Sequence, residues 1–386
     1  MPDILNRERS AELLQRGFTR RSFGRIATLL SAGAALPFYN ECALAQSSMR
    51  AWIDKMPLDG VMINGNENPM GPCPEAADAM HGFIKEGGRY HFEQAFIMSD
   101  TAAKVEGLKP DYVTAFAGSS DPLHRSVISF CSPKKSLVMA DPGYEAGRES
   151  AAYIGAKVIG VPLRKDFSHD VQAMVKADPN AGVIYICNPN NPTGTLTPKA
   201  DIEWVLANKP AGSILLLDEA YIHFSRDWEN RCADLVAKDR DLIILRTFSK
   251  LYGLASLRAG LALARPDILA KLEPAGIGIM PVPGMVGATV SMKQKNLVPE
   301  RRKIVRDIRE DVFAFLDKHN CSYVRSDSNC FLLDTKRPAG EFIQAMAKRK
   351  VLVGRSWPSW PNHSRITVGT RDEMEKFKSA LLQVMA

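Results

Sequence analysis

Several patterns that would assign this chain to a common functional class are missing from its sequence. None of its seven cysteines belongs to a C-x-x-C pair, which disfavours a zinc ribbon or a thioredoxin-like redox centre. No glycine is followed by lysine, so the phosphate loop of ATPases is excluded, although residues 215–219 resemble the metal-binding strand of those enzymes. No basic stripe interleaved with aromatic residues occurs, and nucleic-acid binding is therefore not expected.

The length and charge of the chain place few restrictions on its function. With 386 residues it can bury a large core, and its length predicts two or more lobes. The formal net charge is +7, of which residues 1–45 carry +2. The remaining charges are scattered, which indicates ordinary solubility with some attraction for anionic substrates. Six cysteines outside the first 45 residues could pair in an oxidising compartment, but several lie in apolar runs, so we expect mostly free thiols.

A set of polar residues stands at the ends of neighbouring apolar runs, where open α/β sheets place their ligands. The set consists of Asn191, Asp218, Tyr221, Ser249, Lys250 and Arg258. Lysine is the only side chain that offers a primary amine to an aldehyde cofactor, and a buried Asp218 can keep a pyridine nitrogen protonated. Asn191 and Tyr221 can donate hydrogen bonds to a phenolate oxygen. These residue types predict a pyridoxal phosphate site with Lys250 as the catalytic, Schiff-base lysine.

The phosphate of that cofactor needs backbone N–H groups, hydroxyls and a guanidinium. Ser119 and Ser120 follow a predicted strand and are expected to open a helix. Together with Ser249 and Arg258 they form the predicted phosphate site.

The chain resembles the fold-type I pyridoxal-phosphate aminotransferases of class I and II, and in particular the histidinol-phosphate aminotransferase subfamily. The resemblance rests on motifs that follow in family order from about residue 60 to the C-terminus. They are Asn66-Glu-Asn-Pro69, Asn188-Pro-Asn-Asn-Pro-Thr-Gly194, Asp218-Glu-Ala-Tyr221, Thr247-Phe-Ser-Lys250, Gly253-Leu-Ala-Ser-Leu-Arg258 and Arg365-Ile-Thr-Val-Gly-Thr370.

The resemblance implies further roles. Tyr144 matches the aromatic residue that stacks on the cofactor ring, and Arg365 matches the arginine that binds the substrate α-carboxylate. Asn191 would contact substrate as well as cofactor. Relatives are usually homodimers, and Tyr90 would reach the phosphate in a neighbouring subunit, although the family's Tyr-Pro is Tyr90-His91 here.

Three departures from the subfamily concern the substrate. Histidinol-phosphate enzymes typically carry a pocket tyrosine after Asn-Glu-Asn-Pro, where this chain has Met70. The arginine expected to bind the substrate phosphate is displaced by one position to Arg355, and Trp357 follows it. These differences predict a different amino acid or amino-acid-like donor, with Arg355 among the substrate-binding residues.

The predicted reaction transfers an amino group from that donor to a 2-oxo acid. A decarboxylase, a lyase or an amino-acid oxidase on the same fold is the alternative, because the cofactor residues serve all of these reactions. A non-catalytic binding protein that kept the scaffold is a further alternative. No metal is expected at the site.

The first 45 residues resemble a twin-arginine export signal. Arg20 and Arg21 precede a modestly apolar stretch at residues 26–36, and Ala43-Leu-Ala45 offers a cleavage pattern. The apolar stretch is too short to span a bilayer, so no stable membrane anchor is expected after cleavage. Because that route carries folded proteins, the resemblance implies a periplasmic enzyme that crosses with its cofactor bound. The alternative is an amphipathic N-terminal helix that packs on the body.

The remaining sequence predicts an α/β fold. We expect a mostly parallel sheet with helices on both faces, followed by a smaller α+β domain. The predicted divisions are a signal at 1–45, an arm at 46–75 that joins the small domain, a large domain at 76–285 and the small domain at 286–386. Strands are predicted at 113–117, 136–140, 157–161, 183–187, 214–217, 242–245, 259–262, 322–324, 330–333 and 365–368.

Overall fold

The structure is a computed structural model that describes residues 7–19, 59–275 and 280–385. Its helices are α1 (Arg7–Gln15), α2 (Pro74–Phe83), α3 (Glu93–Glu106), α4 (Ser120–Phe130), α5 (Ala146–Tyr153), α6 (Val171–Lys176), α7 (Lys199–Asn208), α8 (Ala233–Ala237), α9 (Pro266–Leu269), α10 (Val282–Lys293), α11 (Leu297–Lys318), α12 (Ala339–Ala347) and α13 (Arg371–Met385). Its strands are β1 (Val61–Ile63), β2 (Val113–Phe116), β3 (Ser136–Asp141), β4 (Val158–Pro162), β5 (Ala181–Cys187), β6 (Ile214–Asp218), β7 (Leu242–Thr247), β8 (Gly260–Ala264), β9 (Cys330–Asp334), β10 (Val351–Val353) and β11 (His363–Thr367).

Seven strands form the central sheet in the order β2-β8-β7-β6-β5-β3-β4. The pairs from β4 to β7 are parallel, and β8 runs antiparallel to both of its neighbours. The predicted mostly parallel α/β fold is therefore confirmed. Every residue of β5, β6 and β7 is buried, which explains why these strands appear in the sequence as unbroken apolar runs.

Successive side chains of each central strand enter hydrophobic cores on opposite faces of the sheet. In β6, Ile214 and Leu216 belong to one core, whereas Leu215 and Leu217 belong to the other. Helices therefore have to cover both faces, and only the carboxyl ends of the strands remain open to a ligand.

The second part of the fold contains two small sheets. Antiparallel β9 and β11 form one of them, and parallel β1 and β10 form the other. The strand predicted at 322–324 is wrong, because only a single bridge joins Tyr323 to Leu333 there. Sequence analysis also missed β1 and β10. Each is three residues long, which is too short to show the alternation of apolar and polar residues that identifies a strand.

Helix α1 and the residues after it pack on the large domain. Phe18 is buried in the core, and the Arg16 guanidinium donates to the carbonyls of Ile128, Ser129 and Cys131. These carbonyls lie at the C-terminal end of α4, where a cation is favoured. The predicted twin arginines, apolar stretch and cleavage pattern at residues 20–45 lie outside the described residues.

Two further features concern the described ranges. Their six cysteines are free thiols, and five of these are buried. Within the same ranges, no helix combines the length and the apolarity needed to cross a bilayer.

Candidate active site

A cavity of about 470 Å³ opens at the carboxyl ends of the central strands. The structure brings nine of the predicted site residues together around it: Ser119, Ser120, Tyr144, Asn191, Asp218, Tyr221, Ser249, Lys250 and Arg258. These residues are spread over about 140 positions of the sequence, and the parallel strands bring them to one edge of the sheet. Tyr90, Arg355 and Arg365 are not part of the cavity wall.

Lys250 lies three residues after β7, in a loop held from two sides. Its Nζ lies 3.4 Å from the Gly65 carbonyl oxygen and 5.7 Å from the centre of the Tyr221 ring. The carbonyl of the next residue, Leu251, accepts hydrogen bonds from Asn68 at 2.8 Å and from Arg301 at 3.0 Å. The loop therefore contacts the N-terminal arm and α11 at the same time, so the position of the amine depends on both.

Asp218 ends β6 and is almost completely buried. Its Oδ2 accepts a hydrogen bond from the Tyr185 hydroxyl at 2.9 Å, and its Oδ1 accepts one from the Ala220 backbone N–H at 3.1 Å. Burial raises the pKa of the Asp218 carboxyl to about 6, although both hydrogen bonds and the charge of Lys250 act in the opposite direction. A cation placed beside this carboxylate would restore its ionised form.

The neighbouring Glu219 has a different role. Its carboxylate accepts from Arg246 at 2.8 Å, and Arg246 also donates to Glu106 at 2.9 Å. None of these three residues lines the cavity. Of the two acidic residues at the end of β6, Asp218 therefore belongs to the site, whereas Glu219 belongs to a buried ion-pair cluster.

Tyr221 and Asn191 are oriented by residues from distant parts of the chain. Asn66 donates from Nδ2 to the Tyr221 hydroxyl oxygen at 3.0 Å, which orients that hydroxyl at the cavity wall. Asn191 accepts at Oδ1 from Arg365 at 3.1 Å, which orients its amide group at the cavity wall.

Ser119, Ser120, Ser249 and Arg258 form the other end of the cavity. Helix α4 begins at Ser120, and the first backbone N–H groups of a helix favour a bound anion. Arg258 donates to the Ser249 hydroxyl at 3.3 Å and to the Ala117 carbonyl at 3.2 Å. Burial lowers the pKa of its guanidinium, and a bound anion would offset that cost.

Gly118 provides a test of this phosphate site. It adopts φ +88°, and a Cβ atom there would lie 2.1 Å from Arg258 Nη2. Gly118→Ala should therefore displace the guanidinium and raise the dissociation constant of pyridoxal phosphate about tenfold, the equivalent of one charge-assisted hydrogen bond. Absorbance titration of the cofactor-free protein with pyridoxal phosphate measures this dissociation constant.

Gly212→Ala is the matched control for this substitution. Gly212 also has a positive φ, of +73°, but no atom lies within 4 Å of its Cβ position. This control carries the backbone strain without the clash. Equal cofactor dissociation constants for the two variants would contradict the phosphate assignment.

Arg365 lies in β11 and is fully buried. In addition to Asn191, its guanidinium donates to the Asn64 carbonyl at 2.8 Å and lies 5.7 Å from the centre of the Trp357 ring. Through Asn191 it is one contact away from the cavity.

Arg355 and Tyr90 lie elsewhere. Arg355 forms an ion pair with Glu145 and covers the face of Trp357, with 4.1 Å between its guanidinium carbon and the ring centre. Tyr90 is 66% exposed and stacks on Phe92, with 5.4 Å between the ring centres. Within this single chain it contributes nothing to the cavity.

Sequence analysis missed several residues of the site. Cys187 and Thr247 line the cavity from the ends of β5 and β7, and their positions at strand ends were the available signal. Glu67 also lines it and stands inside a motif that had been recognised. Tyr185 could not be identified from the sequence, because a tyrosine within an apolar strand is expected to be a core residue.

The donor set fits pyridoxal phosphate. The cavity offers one primary amine, one buried carboxylate, an aromatic residue at Tyr144, and hydroxyls with a guanidinium at one end. Among the described side chains, no group of His, Cys, Asp and Glu is arranged to hold a metal ion.

Comparisons with known proteins agree with this chemistry. Residues 60–381 match the family described as aminotransferase class I and II. The chain is 32% identical over 331 residues to a histidinol-phosphate aminotransferase of Symbiobacterium thermophilum, covering 84% of this chain and 90% of that protein. It is 31% identical to the corresponding enzyme of Bacillus subtilis, covering 84% and 91%. The crystal structure of histidinol-phosphate aminotransferase from Sinorhizobium meliloti in complex with pyridoxal 5'-phosphate has the same fold, with TM-score 0.80, 21% identity and coverage of 91% and 98%.

Proposed function

Because this chain belongs to the class I and II aminotransferases and is a pyridoxal-phosphate-dependent transaminase, we propose that its donor is an amino acid or amino-acid-like amine other than histidinol phosphate. The acceptor is a 2-oxo acid. The observation that carries the proposal is that Arg355, the arginine expected to bind a substrate phosphate, is already paired with a carboxylate.

Each site residue has a distinct part in this proposal. Bound pyridoxal phosphate supplies an electrophilic aldehyde and an electron-accepting ring. Lys250 would hold the cofactor and afterwards move the substrate α-proton as general acid and base. Asp218 would keep the ring nitrogen protonated, and Tyr144 would pack against the ring.

Two residues would orient the substrate. Arg365 would bind the α-carboxylate with its fork of N–H groups, and its hydrogen bond to Asn191, which lines the cavity, supports this role. Fixing the carboxylate orients the bond that breaks, which is the main contribution a positioning residue makes to rate.

Met70 supports a pocket that differs from that of the named relatives. Its side chain packs against the core at the position where the resemblance implies a tyrosine that lines the substrate pocket. A thioether offers no hydroxyl to a polar substrate, so the distal part of the pocket is less suited to a phosphate ester.

A panel of amino donors tests the proposal. Purified enzyme with bound cofactor is mixed with single amino acids and with histidinol phosphate, without a 2-oxo acid, and the cofactor absorbance is followed. Formation of pyridoxamine phosphate from an amino acid supports the proposal. A preference for histidinol phosphate would contradict the donor, and release of carbon dioxide or peroxide would contradict transamination.

We also propose that the enzyme is a homodimer. Tyr90, Phe92 and Phe96 expose 66%, 59% and 71% of their surface, and Ile84 and Ile97 are exposed beside them. Exposed apolar residues grouped in this way are typical of an interface. If a second copy covers this surface, Tyr90 of the first copy would approach the phosphate site of the second copy. Light scattering at micromolar concentration measures the mass, and a monomer would contradict the proposal.

We further propose that the enzyme is exported folded to the periplasm through its twin-arginine-type segment. The order of basic, apolar and small residues across positions 19–45 supports this. Fractionation of cells that express the full chain tests it. Activity confined to the cytoplasmic fraction would contradict it.

A further inference from the structure

A contact between Glu145 and Arg355, next to the cavity residue Tyr144, is visible only in the folded chain. Glu145 stands between Tyr144, which lines the cavity, and helix α5. Arg355 lies two residues after β10. The two residues are 210 positions apart in the sequence, and no local pattern connects them.

Their contact is a bidentate ion pair in a partly dry environment. Arg355 Nη1 donates to Glu145 Oε1 at 3.0 Å, and Nη2 donates to Oε2. The side chains of Arg355 and Glu145 are only 13% and 22% exposed. A pair with both hydrogen bonds formed and little water is far stronger than a surface pair.

Trp357 holds Arg355 in this orientation. The guanidinium carbon lies 4.1 Å from the centre of the indole ring, and the indole N–H donates to the Gly143 carbonyl at 3.1 Å. The guanidinium carbon of Arg365 lies 5.7 Å from the same ring centre. One aromatic ring therefore contacts both guanidiniums, that of Arg365, which is proposed to bind the α-carboxylate, and that of Arg355, which is paired with Glu145.

A second carboxyl group lies next to the pair. Glu149 lies one helical turn after Glu145, and burial followed by the charge of Glu145 raises the pKa of its carboxyl. A substrate with a distal anion would have to displace Glu145 and then remain beside one or two carboxylates. An uncharged distal group meets no such repulsion.

We propose that Glu145 is a specificity-determining residue that occupies Arg355 and thereby directs the enzyme to donors with uncharged side chains. This inference rests on the proposed function, since it assumes that Arg365 binds the α-carboxylate. Donors with a distal carboxylate or phosphate are the excluded class.

Glu145→Gln tests the inference, because it removes the charge and keeps the size. The ratio of kcat/KM for glutamate to kcat/KM for an uncharged donor of similar length, such as norleucine, should rise about tenfold or more. The double variant Glu145→Gln/Arg355→Met should lose that gain. Glu375→Gln is the matched control, since it removes a carboxylate that is 66% exposed and pairs with Lys378 on α13; its ratio should not change.

A measurement on the wild-type enzyme completes the test if the Gln variant does not fold. Glutarate and pentanoate are compared as competitive inhibitors, and pentanoate should bind at least as tightly. Tighter binding of glutarate by tenfold, or an unchanged ratio for a folded Glu145→Gln enzyme, would overturn the inference. The proposed donor class would survive either result, because it fails only if the enzyme prefers histidinol phosphate.

Discussion

Replacing Lys250 with alanine is expected to slow the conversion of bound cofactor by an amino acid about 10⁴-fold, the upper end of what a positioned acid or base contributes. The Nζ of Lys250 is the one primary amine on the wall of the described cavity, so no neighbour in that wall can take over its proton transfer. Single-turnover absorbance at saturating donor measures the rate. Lys250→Arg should be equally impaired, because a guanidinium keeps the charge but does not exchange protons at neutral pH.

Lys303→Ala is the control, since Lys303 lies on the exposed surface of α11 and its loss should leave the rate unchanged. Borohydride treatment of the wild-type enzyme adds a second readout that does not depend on rate. The pyridoxyl label should appear on the peptide that contains Lys250. A label on another lysine, or a Lys250→Ala enzyme that retains its rate, would contradict the assignment.

Asp218→Asn is expected to lower the same rate about 10³-fold, which is the upper range for the loss of one preorganised electrostatic group. Asparagine keeps the size of the side chain but cannot carry the charge that holds the ring nitrogen protonated. Asp372→Asn is the matched control, because the Asp372 side chain is 76% exposed on α13. A rate within threefold of the wild-type value for Asp218→Asn would contradict its role.

The pKa of Asp218 gives this second prediction an independent readout. The folded-state pKa of about 6 lies above the ordinary value of 3.8. A carboxyl with a raised pKa contributes stability below about pH 4, and this contribution is lost as the pH rises through 6. The cofactor-free wild-type protein should therefore lose up to roughly 3 kcal/mol of unfolding free energy between pH 4 and pH 8 relative to Asp218→Asn. Urea unfolding of both proteins measures this change. A wild-type unfolding free energy that stays constant or rises relative to that of Asp218→Asn between pH 4 and pH 8 would contradict the prediction.

The agreement between sequence and structure is best at the strand ends. Asn191, Asp218 and Lys250 follow apolar runs, and they meet at one cavity because parallel strands share an edge. Ser119 and Ser120 likewise follow a predicted strand and lie at the start of α4. Cys187 and Thr247 occupy equivalent positions at the ends of β5 and β7.

The disagreements occur where a contact joins distant segments without a periodic pattern. The short strands β1 and β10 exist because they pair with each other across 290 residues. Glu145 meets Arg355 across 210 residues, and Asn66 meets Tyr221 across 155. The local sequence around either residue of such a contact does not indicate which distant residue it will meet.

The amino-acid sequence by itself determined the class of fold, the cofactor chemistry and most of the cavity wall. It could do so because apolar runs and the residue types at their ends are local properties that survive without coordinates. Only the tertiary structure decided that Asp218 is held by Tyr185, that Glu219 belongs to a separate ion-pair cluster, and that Arg355 is closed by Glu145. Those outcomes depend on the distance between side chains and on the exclusion of water around them, and both arise only when the chain is folded.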